Sequence, residues 1–217
     1  MSDAPTAATS MPKRALDIAF AAVGLLITLP AWAVLALIIK REDAGPVFFA
    51  QDRSGLGGRP FLAFKFRSMT PDAERFGARQ AARDDPRVTR IGRLMRATAL
   101  DELPQLWNIL KGDMSVVGPR ALRPGEIEAH GSGRFESLED VPGFAVRASV
   151  RPGLTGLAQL YASRNLPRRQ KFRYDRLYIR AYSIGLDVRL ILLSLWVSVS
   201  GRWGARGTGR SGVELTR

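Results

Sequence analysis

Asp101 and Glu102 are adjacent carboxylates in the run Leu100-Asp101-Glu102-Leu103-Pro104-Gln105-Leu106-Trp107-Asn108-Ile109-Leu110-Lys111-Gly112. Leu103, Leu106, Trp107 and Leu110 fall at helical spacing, and Gly112 supplies a C-terminal stop. Pro104 fits only in a first helical turn. The spacing therefore puts both carboxylates at a helix start, where the macrodipole favours negative charge. Such a pair ordinarily serves as capping. Three arginines lie at turns in the same chain: Arg96, Arg120 after Gly118-Pro119, and Arg151 before Pro152-Gly153. An arginine at a turn is ordinarily solvated, but its planar fork matches phosphate oxygens. Carboxylates that can hold a divalent cation, arginines that can clamp phosphates and an apolar anchor together suggest phosphoryl chemistry on a lipid.

Composition removes other chemistries. There is no cysteine, and His130 is the only histidine, so disulfides, cysteine-zinc sites and histidine-cluster metal sites are excluded. A Ser-His-Asp triad is barely possible. Any metal would be held by carboxylates, which favours Mg²⁺ or Mn²⁺. The net charge of +13, from 33 Lys+Arg against 20 Asp+Glu, suggests an anionic partner: nucleic acid, phospholipid headgroups or a phosphorylated substrate. Gly55, Gly57 and Gly58 lack the dinucleotide-binding spacing and precede no helix, so they read as turn glycines.

The anchor is residues 18–39, an uncharged stretch with Pro30 near its middle and Lys13-Arg14 and Lys40-Arg41 on its flanks. It is too long for a signal peptide and has no small-residue cleavage site. A straight helix of this length reaches about 33 Å, enough for the roughly 30 Å hydrocarbon core. Two features oppose a crossing. Basic residues mark the cytoplasmic side, and here both flanks are basic. Pro30 also predicts a kink, dividing the helix into halves of about 14–18 Å, each too short to cross. The segment alone leaves spanning and re-entry open, with Thr28 a candidate partner for backbone groups freed at the kink.

Elsewhere, residues 1–12 read as a frayed tail and 201–217 as a disordered basic tail. Residues 47–51 and 61–66 read as a β-hairpin across the glycine-rich turn 52–60. Residues 70–83 are polar with helix formers, and 87–97 predict a basic helix with Ile91, Leu94 and Met95 on one face. Residues 115–120 predict a short strand, 131–145 a loop, and 150–156 a Pro/Gly turn. Residues 168–182 and 184–199 predict helices on the membrane surface, with Phe172, Tyr174, Leu177, Tyr178 and Tyr182 toward lipid and Lys/Arg toward anionic headgroups. Asp187 and Arg189 make a second crossing expensive. A buried helix pair is the alternative.

Several linked stretches occur in order: Lys13-Arg14-Ala15-Leu16-Asp17, Phe64-Lys65-Phe66-Arg67-Ser68-Met69, Asp85-Pro86-Arg87-Val88-Thr89-Arg90-Ile91-Gly92-Arg93, the Leu100–Asn108 run, Lys111-Gly112-Asp113-Met114-Ser115-Val116-Val117-Gly118-Pro119-Arg120, and Val150-Arg151-Pro152-Gly153-Leu154-Thr155-Gly156. Over residues 13–195 the chain resembles the bacterial sugar transferase family, the monotopic phosphoglycosyl transferases, and its size resembles the minimal members. The resemblance implies an α+β, mostly helical monotopic membrane protein at the cytoplasmic face of the bacterial inner membrane. It implies a re-entrant helix at 13–41 broken at Pro30 and a catalytic domain at 42–200, with a short β-hairpin and amphipathic surface helices. Asp101 would be the nucleophile toward a UDP-sugar and a Mg²⁺ ligand (Mn²⁺ is an alternative), and Glu102 would position it or assist proton transfer. Arg96, Arg120 and Arg151 would contact phosphate. Polyprenyl phosphate would accept the sugar phosphate, with anionic lipids around the enzyme and downstream glycosyltransferases as further partners, and no nucleic acid.

Three departures bear on these expectations. Leu29 precedes the proline where many members have serine; Ala121 follows Arg120 where proline is common; and Ala158-Gln159 with Ala162-Ser163-Arg164 replaces a Trp-Gln and Asn-Gly-Arg pattern, which puts donor preference in question. The sequence admits two rival classes: a membrane-anchored nucleic-acid binder, motivated by the charge but leaving the dyad unused, and an inactive scaffold, opposed by the intact dyad.

Overall fold

A computed structural model describes residues 10–71, 73, 85–129, 135–163, 166–201 and 203. His130, Arg164, residues 1–9 and 204–217 of the expected tails, and most of the 70–83 segment lie outside the described residues.

The apolar anchor forms one helix, α1 (Met11–Asp43), starting with Pro12 in its first turn and ending at Ala44 in the left-handed conformation. The break expected at Pro30 is absent: α1 continues through it, since a proline removes only one backbone donor from the ladder, and the Thr28 hydroxyl donates to the Gly24 carbonyl at 2.7 Å, more than a full turn before the proline. One stripe of α1 packs on the protein along the whole helix. Lys13, Asp17, Ala21, Leu35 and Ile39 are buried, with Phe20, Leu25 and Trp32 partly so, at the three-to-four-residue spacing that defines one helical face. The other side, including Val23, Leu26, Ile27, Leu29, Val34 and Leu37, is exposed and apolar.

Both ends of α1 are tied to the same body. Lys13 Nζ lies 2.7 Å from Asp187 Oδ2, and Asp17 Oδ1 accepts from the Ser115 hydroxyl and the Val116 amide, each at 2.9 Å. At the other end Asp43 receives the Arg67 guanidinium, and Glu42 accepts from the Arg90 amide at 2.6 Å.

β1 (Phe48–Ser54) and β2 (Pro60–Phe66) form the expected hairpin, with Phe49 opposite Lys65, Gln51 opposite Ala63 and Arg53 opposite Phe61. Strand alternation puts these six residues on one face. α2 (Arg90–Thr98) is capped by the Thr89 hydroxyl and packs Met95 inward, whereas Leu94 is exposed rather than sharing that face. α3 (Gln105–Lys111) buries Leu106 and Ile109 and stops at Gly112, φ 96°, while Trp107 points outward rather than joining the leucines.

β3 (Ser115–Val117) pairs in parallel with β6 (Gly153–Thr155). The 150–156 segment is thus a strand as well as a turn. A Cβ at Gly153 would stand 2.0 Å from the Gly118 nitrogen, so only glycine permits this approach. β4 (Ile127–Ala129) pairs antiparallel with β5 (Phe135–Ser137), so part of the 131–145 segment expected to be a loop is a strand. Short α4 (Phe144–Ala148) and α5 (Leu157–Tyr161) flank β6.

α6 (Arg168–Arg180) and α7 (Ile184–Val199) differ from each other. The aromatics of α6 do not face outward as a set: Phe172 and Tyr178 are buried, and the Tyr178 hydroxyl donates to Asp187 at 2.8 Å, so a polar tip is satisfied inside the protein. α7 buries Leu190, Ile191 and Val197 and exposes Ile184, Val188, Leu192, Leu195, Trp196 and Val199 as an apolar stripe.

Candidate active site

The carboxylate pair occupies one turn of 3₁₀ helix, Leu100–Glu102, between α2 and α3. Ala99, with φ 60°, turns the chain out of α2 directly into it. Pro104 then starts α3 without needing a hydrogen-bond partner for a missing N–H.

The two carboxylates have different surroundings. Glu102 Oε1 receives Lys65 Nζ at 2.5 Å and Arg120 Nη2 at 3.1 Å. Burial disfavours its charge, but these two cations more than offset that and hold its pKa well below the usual range. Asp101 is 8% exposed. Among the described residues its carboxylate has no hydrogen-bond or ion-pair partner. Burial pushes its pKa up, Lys65, Arg96 and Arg120 oppose the shift, and the charge of Glu102 adds to it. One carboxylate is locked and the other is free.

Arg96, in the last turn of α2, and Arg120, beyond β3, are therefore both brought to the pair, the first through its field and the second by direct contact. Arg151 is not. Its Nε donates to the Gly112 carbonyl at 2.9 Å, at the far end of α3 from the dyad. There, with Arg14 on the Ile109 and Leu110 carbonyls, it complements the negative end of that helix.

The turn carrying Arg120 is held residue by residue. The Pro119 carbonyl accepts from the Gly153 amide at 2.8 Å, Arg120 from Arg147 Nη2, Ala121 from Arg53 Nη1 at 3.2 Å and Leu122 from the Ser54 amide at 2.8 Å. Arg147 is itself buried, paired with Asp175 at 3.1 Å and placed over the Phe172 ring.

Beside Glu102 lies a shallow cleft lined by Arg53, Ala63, Lys65, Gln105, Arg120 and Gly153, among others. Arg53, Lys65 and Gln105 are site residues the sequence reading missed. Arg53 had been placed in the turn. The signal that identifies it is hairpin register: positions 53, 63 and 65 share a face once the strands are paired.

A metal could be held here only in part by protein. Among the described residues no group of three or more His, Cys, Asp or Glu converges. Mg²⁺ commonly takes one or two carboxylates and completes its shell with water and substrate phosphates. The free oxygens of Asp101 fit that arrangement.

Comparison with known proteins identifies the family. The family model for bacterial sugar transferases matches residues 8–201. The chain is 44% identical over 193 residues to the undecaprenyl-phosphate glucose phosphotransferase of Komagataeibacter xylinus, covering 85% of this chain and 35% of that protein. It is 39% identical over 197 residues to the UDP-N-acetylgalactosamine-undecaprenyl-phosphate N-acetylgalactosaminephosphotransferase of Aeromonas hydrophila, covering 89% and 45%. It is 42% identical over 193 residues to the UDP-glucose:undecaprenyl-phosphate glucose-1-phosphate transferase of Caulobacter vibrioides, covering 87% and 70%. The chain thus spans less than half the length of the first two relatives. Since the matched residues enclose the dyad and its collar of cations, the chain belongs to the bacterial sugar transferase family.

Proposed function

We propose that the protein transfers a sugar 1-phosphate from a UDP-sugar to undecaprenyl phosphate, releasing UMP, as the first membrane step of exopolysaccharide, capsule or related glycan synthesis. The observation that carries this reading is the asymmetry of the dyad: a buried, unpartnered Asp101 beside a Glu102 fixed by Lys65 and Arg120. An unpaired buried carboxylate is a costly feature to keep, and it suits an activated nucleophile.

An Asp101 oxygen attacks the β-phosphorus of the donor, and the bond from that phosphorus to the bridging oxygen breaks. UMP leaves with the bridging oxygen, and the sugar phosphate becomes esterified to Asp101 as an acyl phosphate. A phosphate oxygen of undecaprenyl phosphate then attacks the same phosphorus, the bond to the carboxylate breaks, and polyprenyl-diphosphate sugar departs with Asp101 regenerated. Arg120 and Arg96 stabilise charge developing on the transferred group. Glu102, held by two cations, fixes Lys65 and Arg120 around the reacting centre. Mg²⁺ liganded by Asp101 would neutralise the donor diphosphate when bound.

The same reading makes α1 re-entrant and the protein monotopic on the cytoplasmic face. What supports this is that both ends of α1 are bonded to one body while its opposite face is apolar and exposed. A crossing helix would carry its ends to opposite sides of the bilayer. The exposed stripe of α7 suits the same lipid surface.

The test is purified protein with Mg²⁺, undecaprenyl phosphate and a panel of UDP-sugars, reading UMP release. Release with at least one donor, lost in Asp101→Asn, is expected. No release from any donor by folded protein contradicts the proposal.

A further inference from the structure

We infer that Arg53 binds a phosphoryl oxygen of a substrate in the cleft it shares with Lys65, Glu102 and Arg120. The inference rests on the transferase reading for the identity of the substrate, though not for the chemistry of the site.

Three cations, Arg53, Lys65 and Arg120, line that cleft against one carboxylate, Glu102. The cleft therefore has an excess of two positive charges. Lys65 and Arg120 both spend their contacts on the same Glu102 oxygen, Oε1. Arg53 is left with neutral acceptors only: Nη1 donates to the Ala121 carbonyl at 3.2 Å and Nη2 to Gln51 Oε1 at 2.6 Å. Among the described residues no carboxylate lies within ion-pairing distance of it. A guanidinium carries five N–H donors, so most of its fork is uncommitted.

The cost of this placement shows in its acidity. Burial, and then the neighbouring charges of Arg120 and Arg123, push the Arg53 guanidinium down to about 10. A half-buried cation beside other cations, with Glu102 and Glu126 near enough to act on it but no carboxylate in direct contact, is costly unless an anion completes the cluster. A phosphate group has the matching charge and geometry, because its oxygens accept the two parallel N–H bonds of an arginine fork. The position also follows from the fold. Register puts Arg53 on the hairpin face that carries Lys65, and its bond to Ala121 fixes it beside the turn that aims Arg120.

That phosphate could belong to the nucleotide donor or to the lipid acceptor, and the half-reactions separate them. Full-length Arg53→Gln and Arg53→Lys are compared with wild type in lipid nanodiscs. The first readout is thermal protection by inorganic pyrophosphate. The concentration giving half-maximal protection should rise about 10–100-fold in Arg53→Gln, with Arg53→Lys between, because the charge is kept while the fork is lost. A purely structural Arg53 would lower the unliganded melting temperature and leave that concentration unchanged.

The second readout is sugar-phosphate adduct formation without acceptor, followed by its discharge to undecaprenyl phosphate. Slowed formation assigns Arg53 to a donor phosphate, and normal formation with slowed discharge assigns it to the acceptor. If Arg53→Gln does not fold, Arg53→Lys carries both comparisons, with a several-fold loss expected. Unchanged protection and unchanged half-reactions in a folded variant overturn the inference. Pyrophosphate protection in a wild type that releases no UMP from any donor would contradict the transferase reading while leaving the Arg53 comparison intact.

Discussion

Lys65 Nζ lies 2.5 Å from Glu102 Oε1, and this one contact separates the roles of two carboxylates that are neighbours in the chain. Glu102 is neutralised and immobilised, and Asp101 is buried without a partner. Neighbouring carboxylates whose environments push their pKa values apart can take different roles, as in other acid–base pairs.

Asp101→Asn should abolish UMP release and yet stabilise the fold at neutral pH. The Asp101 pKa is raised by burial, so its favourable contribution exists below the unfolded carboxylate value, near 3.9, and is lost as pH rises through the folded value. Asparagine has no charge to bury. Its advantage should be about 1–3 kcal/mol at pH 7 and shrink to nothing below pH about 4. Melting temperatures of the two proteins across pH check this, and a variant less stable at pH 7 contradicts it.

Lys65→Met should lower kcat about 10–100-fold, because Glu102 loses its shortest contact and Arg120 is left to neutralise it alone. Glu102 has a depressed folded pKa, so its stabilising contribution is present above the unfolded value of about 4.3 and is lost as pH falls through the folded one. Without Lys65 that loss begins at higher pH. The acid-unfolding midpoint should therefore move upward, which circular dichroism would show.

Arg147 acts on the site through Arg120, whose carbonyl it holds. Arg147→Met leaves Asp175 buried and unpaired and should cost about 3–5 kcal/mol. Replacing both partners, as Arg147→Met with Asp175→Leu, should recover most of the stability. The double variant should still turn over slowly, because the Arg120 carbonyl stays unheld. Denaturation and kcat measured on the same three proteins separate the two effects.

The two ends of α1 should face the same compartment. Single cysteines at positions 12 and 44 should both be labelled from the cytoplasm, and labelling of either from the periplasmic side means a crossing helix. Lys13→Met should destabilise strongly, because it leaves Asp17 and Asp187 buried without their ammonium.

The position of Asp101 and Glu102 just ahead of α3 was legible in the sequence because Pro104 and Gly112 bracket that short helix, whereas their reading as a reacting pair came from the family resemblance. The hairpin was legible from its glycines, but its register was not, since a turn drawn over 52–60 hides four strand residues, Asp52, Arg53, Ser54 and Pro60. β6 was hidden for another reason. Its three residues follow a Pro/Gly turn, and its parallel partner β3 lies more than thirty positions earlier, so no local pattern announces it. Arg151 looked like a phosphate ligand because it sits at a turn, yet its Nε donates to the Gly112 carbonyl at the end of α3. On α6 the alternation of basic and aromatic residues suggested a membrane face. Tyr178 instead reaches inward, because Asp187 and the Val117 carbonyl offer its hydroxyl two acceptors there.

The central claim is that Asp101 becomes covalently loaded. Incubating the protein with Mg²⁺ and a turned-over UDP-sugar, without undecaprenyl phosphate, should give an intact mass increased by one sugar phosphate. The adduct should map to Asp101 and disappear when acceptor is added. An unmodified mass, under conditions where the complete reaction runs, contradicts the account.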